Sequence, residues 1–287
     1  MGLVDLQCHT TASDGTLTPT ELVALAAERG LRVIAITDHD TTAGLVEALA
    51  AGRRYGVEVI PGVEINTDVP QGEVHILGYF IDWTDENFQA TLTRLRQGRV
   101  GRAKRMVEKL ADLGIHLAWE RVQAIAGDSA IGRPHVAQAL LEAGYISSTS
   151  EAFERFIGRT GPAYVERVRM SPAEATRVIR AARGLPVLAH PIIAGAAEVI
   201  SEPLDLEPLL DELTAAGLVG IEAYYPGYPP EVTRDLLGLA AKYGLVATGG
   251  SDYHGPNQGH GELGSVEVPV EVVEQLKNGY LTGGVHD

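Results

Sequence analysis

Two blocks of β/α alternation, separated by a long run of consecutive helical patterns, set the limits on how this chain folds. The first block contains the strand-like runs LVDLQC, RVIAIT, VEVIPGVEI and EVHILGYFI, with helical PTELVALAAERG and TTAGLVEALAAGRRYG among them. The second contains LPVLAH, LVGIEAYY and LVATGGSD, with helices expected near 171–183, 206–217 and 230–243. Alternation of this kind points to an α/β chain built on a parallel sheet or barrel. Residues 83–163 break the rhythm with ENFQATLTRLRQGRVGRAKRMVEKLADLG, AWERVQAIAG, GRPHVAQALLEAGY and TSEAFERFIG, all helical in period. The expected organisation is therefore a barrel from residues 1–82 plus 164–287, with 83–163 as a helical insertion capping its site.

Composition narrows the function classes. At 287 residues, 45% hydrophobic and 21% charged, the chain has enough apolar material for a full core. No apolar run approaches a membrane span, and no charged segment followed by an apolar one opens the chain. A net charge of −15 argues against a partner such as long nucleic acid spread over the general surface. The single Cys8 excludes an intrachain disulfide and a multi-cysteine zinc site, and a cytoplasmic location is the simplest expectation.

The chemistry gathers at strand ends. In VDLQCHTTASDG, alternation puts Asp5, Gln7 and His9 on one face of a strand, with Asp14 in the loop beyond. His39 ends AITDH, Glu64 ends VIPGVE, His75 opens HILGYF, His190 ends VLAH, and Asp252 and His254 follow ATGG. In a (β/α) barrel the rim at the C-terminal ends of the strands carries the active site. Each residue alone has a structural reading: a strand histidine bonded to a carbonyl for His75, a turn residue for Asp14, helix caps for Asp38 and Asp40. Five of nine histidines converging with carboxylates on one rim favour a polynuclear metal site. Mixed imidazole and carboxylate ligands suit Mn²⁺, Fe²⁺ or Zn²⁺ better than an all-oxygen calcium site.

DLQCHTTASDG, TDHD, PGVEI, VHILGY, LAHP and GSDYH, in that order, resemble the motifs of the PHP (polymerase and histidinol phosphatase) superfamily. They are most similar to its stand-alone metal-dependent phosphoesterases, which include nucleoside 3′,5′-bisphosphate phosphatases and 5′-to-3′ exoribonucleases. The resemblance implies a distorted (β/α)7 barrel, an inserted helical domain and a trinuclear metal centre. By position it assigns one metal to Gln7, His9, Glu64 and Asp252, a second to Glu64, His75 and His190, and a third to Asp14, His39 and His254. The family pattern has a histidine where this chain has Gln7. A glutamine carbonyl still suits a hard cation, so Mn²⁺ or Mg²⁺ is expected to be tolerated better than Zn²⁺, with two or three metals per chain.

Clustered divalent metals would activate water, polarise the phosphoryl oxygens and align the ester for displacement. Glu64 is the expected bridging ligand; with Asp252 it completes the catalytic set, and His39 or His254 would supply the leaving alkoxide with a proton or a metal. In the insertion, Arg133 and His135 at a helix N-terminus would bind a second phosphate. IGRTGPAY carries Arg159, for which a phosphate-binding and a plain loop reading stay equally open. The basic run RLRQGRVGRAKR reads as a solvated helix face, with a track for a short RNA as the sharper alternative. The expected activity is hydrolysis of a phosphate monoester of a small nucleotide. A histidinol-phosphate phosphatase and a catalytically weak nucleotide-binding module are the alternatives.

Overall fold

The computed structural model describes residues 3–69, 72–127, 131–166, 170–192, 205–256, 258 and 261–283. It separates into two compact units, Met1–Ala90 with Met170–Asp287, and Thr91–Arg169.

The first unit is built on seven strands in chain order, β1 (Val4–Cys8), β2 (Val33–Ile36), β3 (Glu58–Val69), β4 (Gly72–Tyr79), β5 (Leu185–Leu188), β6 (Gly220–Tyr224) and β7 (Val246–Gly249). Beyond β7 the chain returns to β1: His9 N donates to Tyr253 O at 2.9 Å, and Tyr253 N to Gln7 O at 3.3 Å. The result is a nearly closed α/β barrel, as the sequence implies. It is not all parallel, however. β4 runs antiparallel to both β3 and β5, because β3 and β4 follow one another without a crossover helix.

Helices α1 (Pro19–Glu28) and α2 (Leu45–Tyr55) connect the first strands. Thr18 and Glu21 form a capping box around Pro19 at the start of α1, and Gly56 closes α2 in the left-handed region at φ 73°. The same logic starts α7 (Pro172–Ala181), with Ser171 and Glu174 as its box. Helices α8 (Leu206–Ala215) and α9 (Pro230–Tyr243) lie where the pattern places them. A further helix, α10 (Glu271–Gly283), has no counterpart in the sequence reading. Its Val272, Val273 and Leu276 join Val4, Leu6, Ile60, Leu77 and Val187 in one buried cluster. Each such side chain contributes about 1.5–3 kcal/mol when fully buried.

The second unit takes most of α3 (Glu86–Asp112), then α4 (Trp119–Ala126), α5 (Arg133–Glu142), α6 (Thr149–Ala152) and a π-helical turn at Phe153–Ile157. Its own core holds Met106, Leu110, Val122, Val136, Leu140 and Ile157. The basic run on α3 is less solvated than its sequence suggests. Arg102 is buried, donating from Nε to Val165 O at 2.7 Å with its guanidinium over the Tyr164 ring, and Lys104 lies over Trp119. Among the described residues no helix is long and apolar enough to cross a membrane.

Candidate metal centre

Three buried carboxylates shape the loops that carry the site. Asp38 accepts from Thr10 N at 2.7 Å, Thr10 Oγ1 at 2.8 Å and Ser13 Oγ at 2.6 Å, folding the loop between His9 and Asp14. Asp5 accepts from Ser251 N at 2.8 Å, Ser251 Oγ at 2.6 Å and Gly264 N at 2.8 Å, fixing the start of the segment that presents Asp252 and His254. Glu222, within β6, accepts the His190 backbone N–H at 2.8 Å. Burial lifts the carboxyls of all three above their ordinary range, and the donated hydrogen bonds oppose that rise. The loops they hold are strained: Asp40, His190 and Asp252 have φ of 52°, 23° and 53°. Such backbone costs about 1–3 kcal/mol per residue and concentrates where function fixes the geometry.

Glu64 is the centre of the arrangement. Its Oε1 lies 2.6 Å from His75 Nδ1 and 3.1 Å from His190 Nε2, and its Oε2 lies 3.1 Å from His9 Nε2 and 3.8 Å from His39 Nδ1. His9 Nε2 is also 3.2 Å from Asp252 Oδ1. Asp14 faces His254 Nε2 at 3.4 Å and His39 Nε2 at 3.7 Å. The His254 Nδ1–H donates to Asp252 O at 2.8 Å, which turns Nε2 toward Asp14. The rings crowd together, with His9 stacked on His254 at 4.0 Å and 4.6 Å from His39.

This donor set fits divalent cations. His9, Asp14, His39 and His254 form one group whose donor atoms lie within 4.8 Å of one another; His39, Glu64 and His75 form a second, and His9, Glu64 and Asp252 a third. Buried nitrogens within it make no hydrogen bond of acceptable geometry: Nδ1 and Nε2 of His9, Nδ1 of His39 and Nε2 of His75. Positive charge is what the cluster attracts. Burial pushes His9 down, but Asp252 and Glu64 outweigh it and hold the ring well above the ordinary histidine value. His75 is likewise pushed down by burial yet raised to about 9 by Glu64. Burial would raise Glu64 and Asp14, but the surrounding imidazoles hold both well below the carboxylate range. For His39 burial wins, lowering it to about 4, which leaves the neutral, ligating form.

Comparison with known proteins decides what the cluster belongs to. Residues 5–142 match the family model of the PHP domain. The chain is 35% identical over 252 residues to a 5′-3′ exoribonuclease of Haemophilus influenzae, covering 88% of this chain and 90% of that protein. It is 33% identical over 268 residues to a 3′,5′-nucleoside bisphosphate phosphatase of Chromobacterium violaceum, covering 93% and 92%. The chain belongs to the PHP domain family. A solved structure from Bifidobacterium adolescentis, described as a metal-dependent phosphoesterase, superposes with a TM-score of 0.85 at 35% identity over 99% of this chain and 96% of that one. The chain is thus a metal-dependent phosphoesterase on a PHP-like barrel.

Within this PHP barrel, His9, Asp14, His39, Glu64, His75, His190, Asp252 and His254 converge. Glu64 lies inside β3 rather than at its end, since the strand continues past the rim into the hairpin with β4. His75, near the start of β4, reaches the same rim because that strand is reversed. Asp5 does not join Gln7 and His9: its oxygens go to Ser251 and Gly264, and the pairing of β1 with β2 is irregular between Asp5 and Cys8. Gln7 donates from Nε2 to Glu64 Oε2 at 3.0 Å.

Arg133, His135 and Arg159 belong to the second unit. His135 Nδ1 accepts from Gly132 N at 2.9 Å, tying the ring to the start of its own helix, and Arg133 lies 5.5 Å over the Phe153 ring. Arg159 sits half-buried in the turn after the π-helical residues. The sequence reading missed Tyr225, whose hydroxyl donates to Asp252 Oδ2 at 2.8 Å and whose ring is 5.4 Å from that of His190. It also missed Glu222, although a carboxylate inside the apolar run LVGIEAYY was a visible signal.

Proposed function

We propose that this phosphoesterase hydrolyses a phosphate monoester of a small nucleotide, either a nucleoside 3′,5′-bisphosphate or the 5′ end of a short oligonucleotide. The observation that carries the reading is one carboxylate, Glu64, within 3.8 Å of four imidazoles, those of His9, His39, His75 and His190. Two or three divalent cations, Mn²⁺ first among them, would be held there. His9, Glu64 and Asp252 bound one position, Glu64, His75 and His190 a second, and Asp14, His39 and His254 a third. Such cations supply Lewis acidity and an activated water for phosphate-ester hydrolysis.

The chain's own residues orient the reaction. Exposure rises from nothing at the His9 and Glu64 side chains, through 12% at His39, to 36% at Asp14. His75 is 16% exposed as well, so the phosphate ester would approach over the open edge of Asp14, His39 and His75, with Glu64, His39, Asp252 and His254 facing the reacting group. The second unit would supply the clamp for a second phosphate, with Arg133 and Arg159 as bidentate donors and His135 holding the start of the Arg133 helix. The bisphosphate phosphatase and exoribonuclease among the relatives support these substrates.

The test is phosphate release by Mn²⁺-loaded protein from adenosine 3′,5′-bisphosphate, histidinol phosphate and a 5′-phosphorylated dinucleotide. Selective turnover of the bisphosphate is expected, with Arg133→Ala raising KM for it about 10-fold or more while leaving histidinol phosphate unaffected. Preference for histidinol phosphate would refute the nucleotide reading.

A further inference from the structure

We infer that Gln7 makes the cation position bounded by His9, Glu64 and Asp252 an exchangeable one that accepts only a hard cation, while the two remaining positions retain theirs. The inference rests on the phosphoesterase reading above and deepens it.

Gln7 is fully buried, and its amide lies at the edge of this triangle. Nε2 donates to Glu64 Oε2 at 3.0 Å, and the same oxygen is 3.1 Å from His9 Nε2, itself 3.2 Å from Asp252 Oδ1. An imidazole here would offer a nitrogen lone pair to a cation; the amide nitrogen has none and presents N–H instead. Gln7 Oε1 is buried without a hydrogen-bond partner. Turning the amide over would aim that oxygen at a cation, a donor suited to Mn²⁺ or Mg²⁺ and poor for Zn²⁺. With no cation there, the turned amide would set its carbonyl oxygen against the Glu64 carboxylate, so the amide's hydrogen bond to Glu64 and a cation compete for this position. Filling the position therefore breaks a buried hydrogen bond to a carboxylate, which weakens binding there by roughly 10- to 150-fold.

The Gln7 backbone cannot shift to avoid this exchange. A Cβ on Gly250 would stand 2.5 Å from Gln7 N and 2.7 Å from its Cβ, so the loop after β7 lies directly on the residue. Tyr253 N fastens the Gln7 carbonyl from the same side.

The experiment counts metals. Wild-type protein, Gln7→His and Gln7→Glu are loaded with Mn²⁺, passed over a chelating resin and analysed by inductively coupled plasma mass spectrometry. Thermal melting checks that each variant is folded. Wild type should keep about two Mn²⁺ per chain and both variants about three, and millimolar Mn²⁺ or Mg²⁺, but not Zn²⁺, should restore the extra cation in wild type. Retention of three by wild type, or no gain in either folded variant, overturns the inference and leaves the phosphoesterase reading standing. Retention of none by any of the proteins would instead remove that reading, and this one with it.

Discussion

Tyr225 donates its hydroxyl to Asp252 Oδ2, which leaves Oδ1 to face His9. The tyrosine thus acts through Asp252 as a positioning residue, holding the carboxylate in one orientation. Tyr225→Phe should weaken Mn²⁺ binding about 10-fold or more without unfolding the chain, as calorimetric titration would report. Unchanged affinity would mean that the hydroxyl does not orient Asp252. His75 gives a pH-dependent test. Burial lowers it, Glu64 outweighs burial, and the folded value stands at about 9, above the unfolded value of about 6.5. The stabilisation by this pair is fully present below about 6.5 and is lost as pH rises through the folded value. Cation-free protein should therefore melt at a lower temperature at pH 9.5 than at pH 7, and His75→Gln should flatten that fall. Equal slopes in the two proteins would contradict the Glu64–His75 coupling.

At the level of elements, a loop is only as fixed as its anchor. Asp38 gathers three hydrogen bonds from Thr10 and Ser13. Asp38→Ala leaves those donors unpaired and should cost about 3 kcal/mol or more in urea unfolding, with loss of cation binding at Asp14 and His39. A change below about 1 kcal/mol would show that the loop holds itself. Much of the barrel was legible in the sequence, because its signals are local: short apolar strand-like runs alternating with apolar positions at helical spacing. Strand direction is not local. The reversal of β4 follows from the absence of a crossover helix between β3 and β4, which periodicity alone does not weigh. The convergence of the candidate ligands was legible because His39, His190, Asp252 and His254 follow strand ends. Their supports were not, since Asp5 bonds to Ser251 and Gly264 across nearly the whole chain. The role of Gln7 was half legible: its residue type could be seen, its bond to Glu64 could not.

Across the whole molecule, a net charge of −15 and a centre rich in carboxylates make cation binding a stabilising event as well as a chemical one. Cations that bind only the folded chain should raise its melting temperature with concentration, and Mn²⁺ titration followed by differential scanning fluorimetry checks this. No dependence on Mn²⁺ up to millimolar concentration would contradict a built cation site. The most direct measurement compares Mn²⁺-dependent phosphate release from adenosine 3′,5′-bisphosphate by wild type and Glu64→Gln. Wild type should turn the substrate over, lose activity on chelation and regain it with Mn²⁺, while Glu64→Gln should fall about 1,000-fold, as expected when a group central to the cation site is neutralised. Equal rates in the two proteins, or activity indifferent to chelation, would contradict a phosphoesterase organised around Glu64.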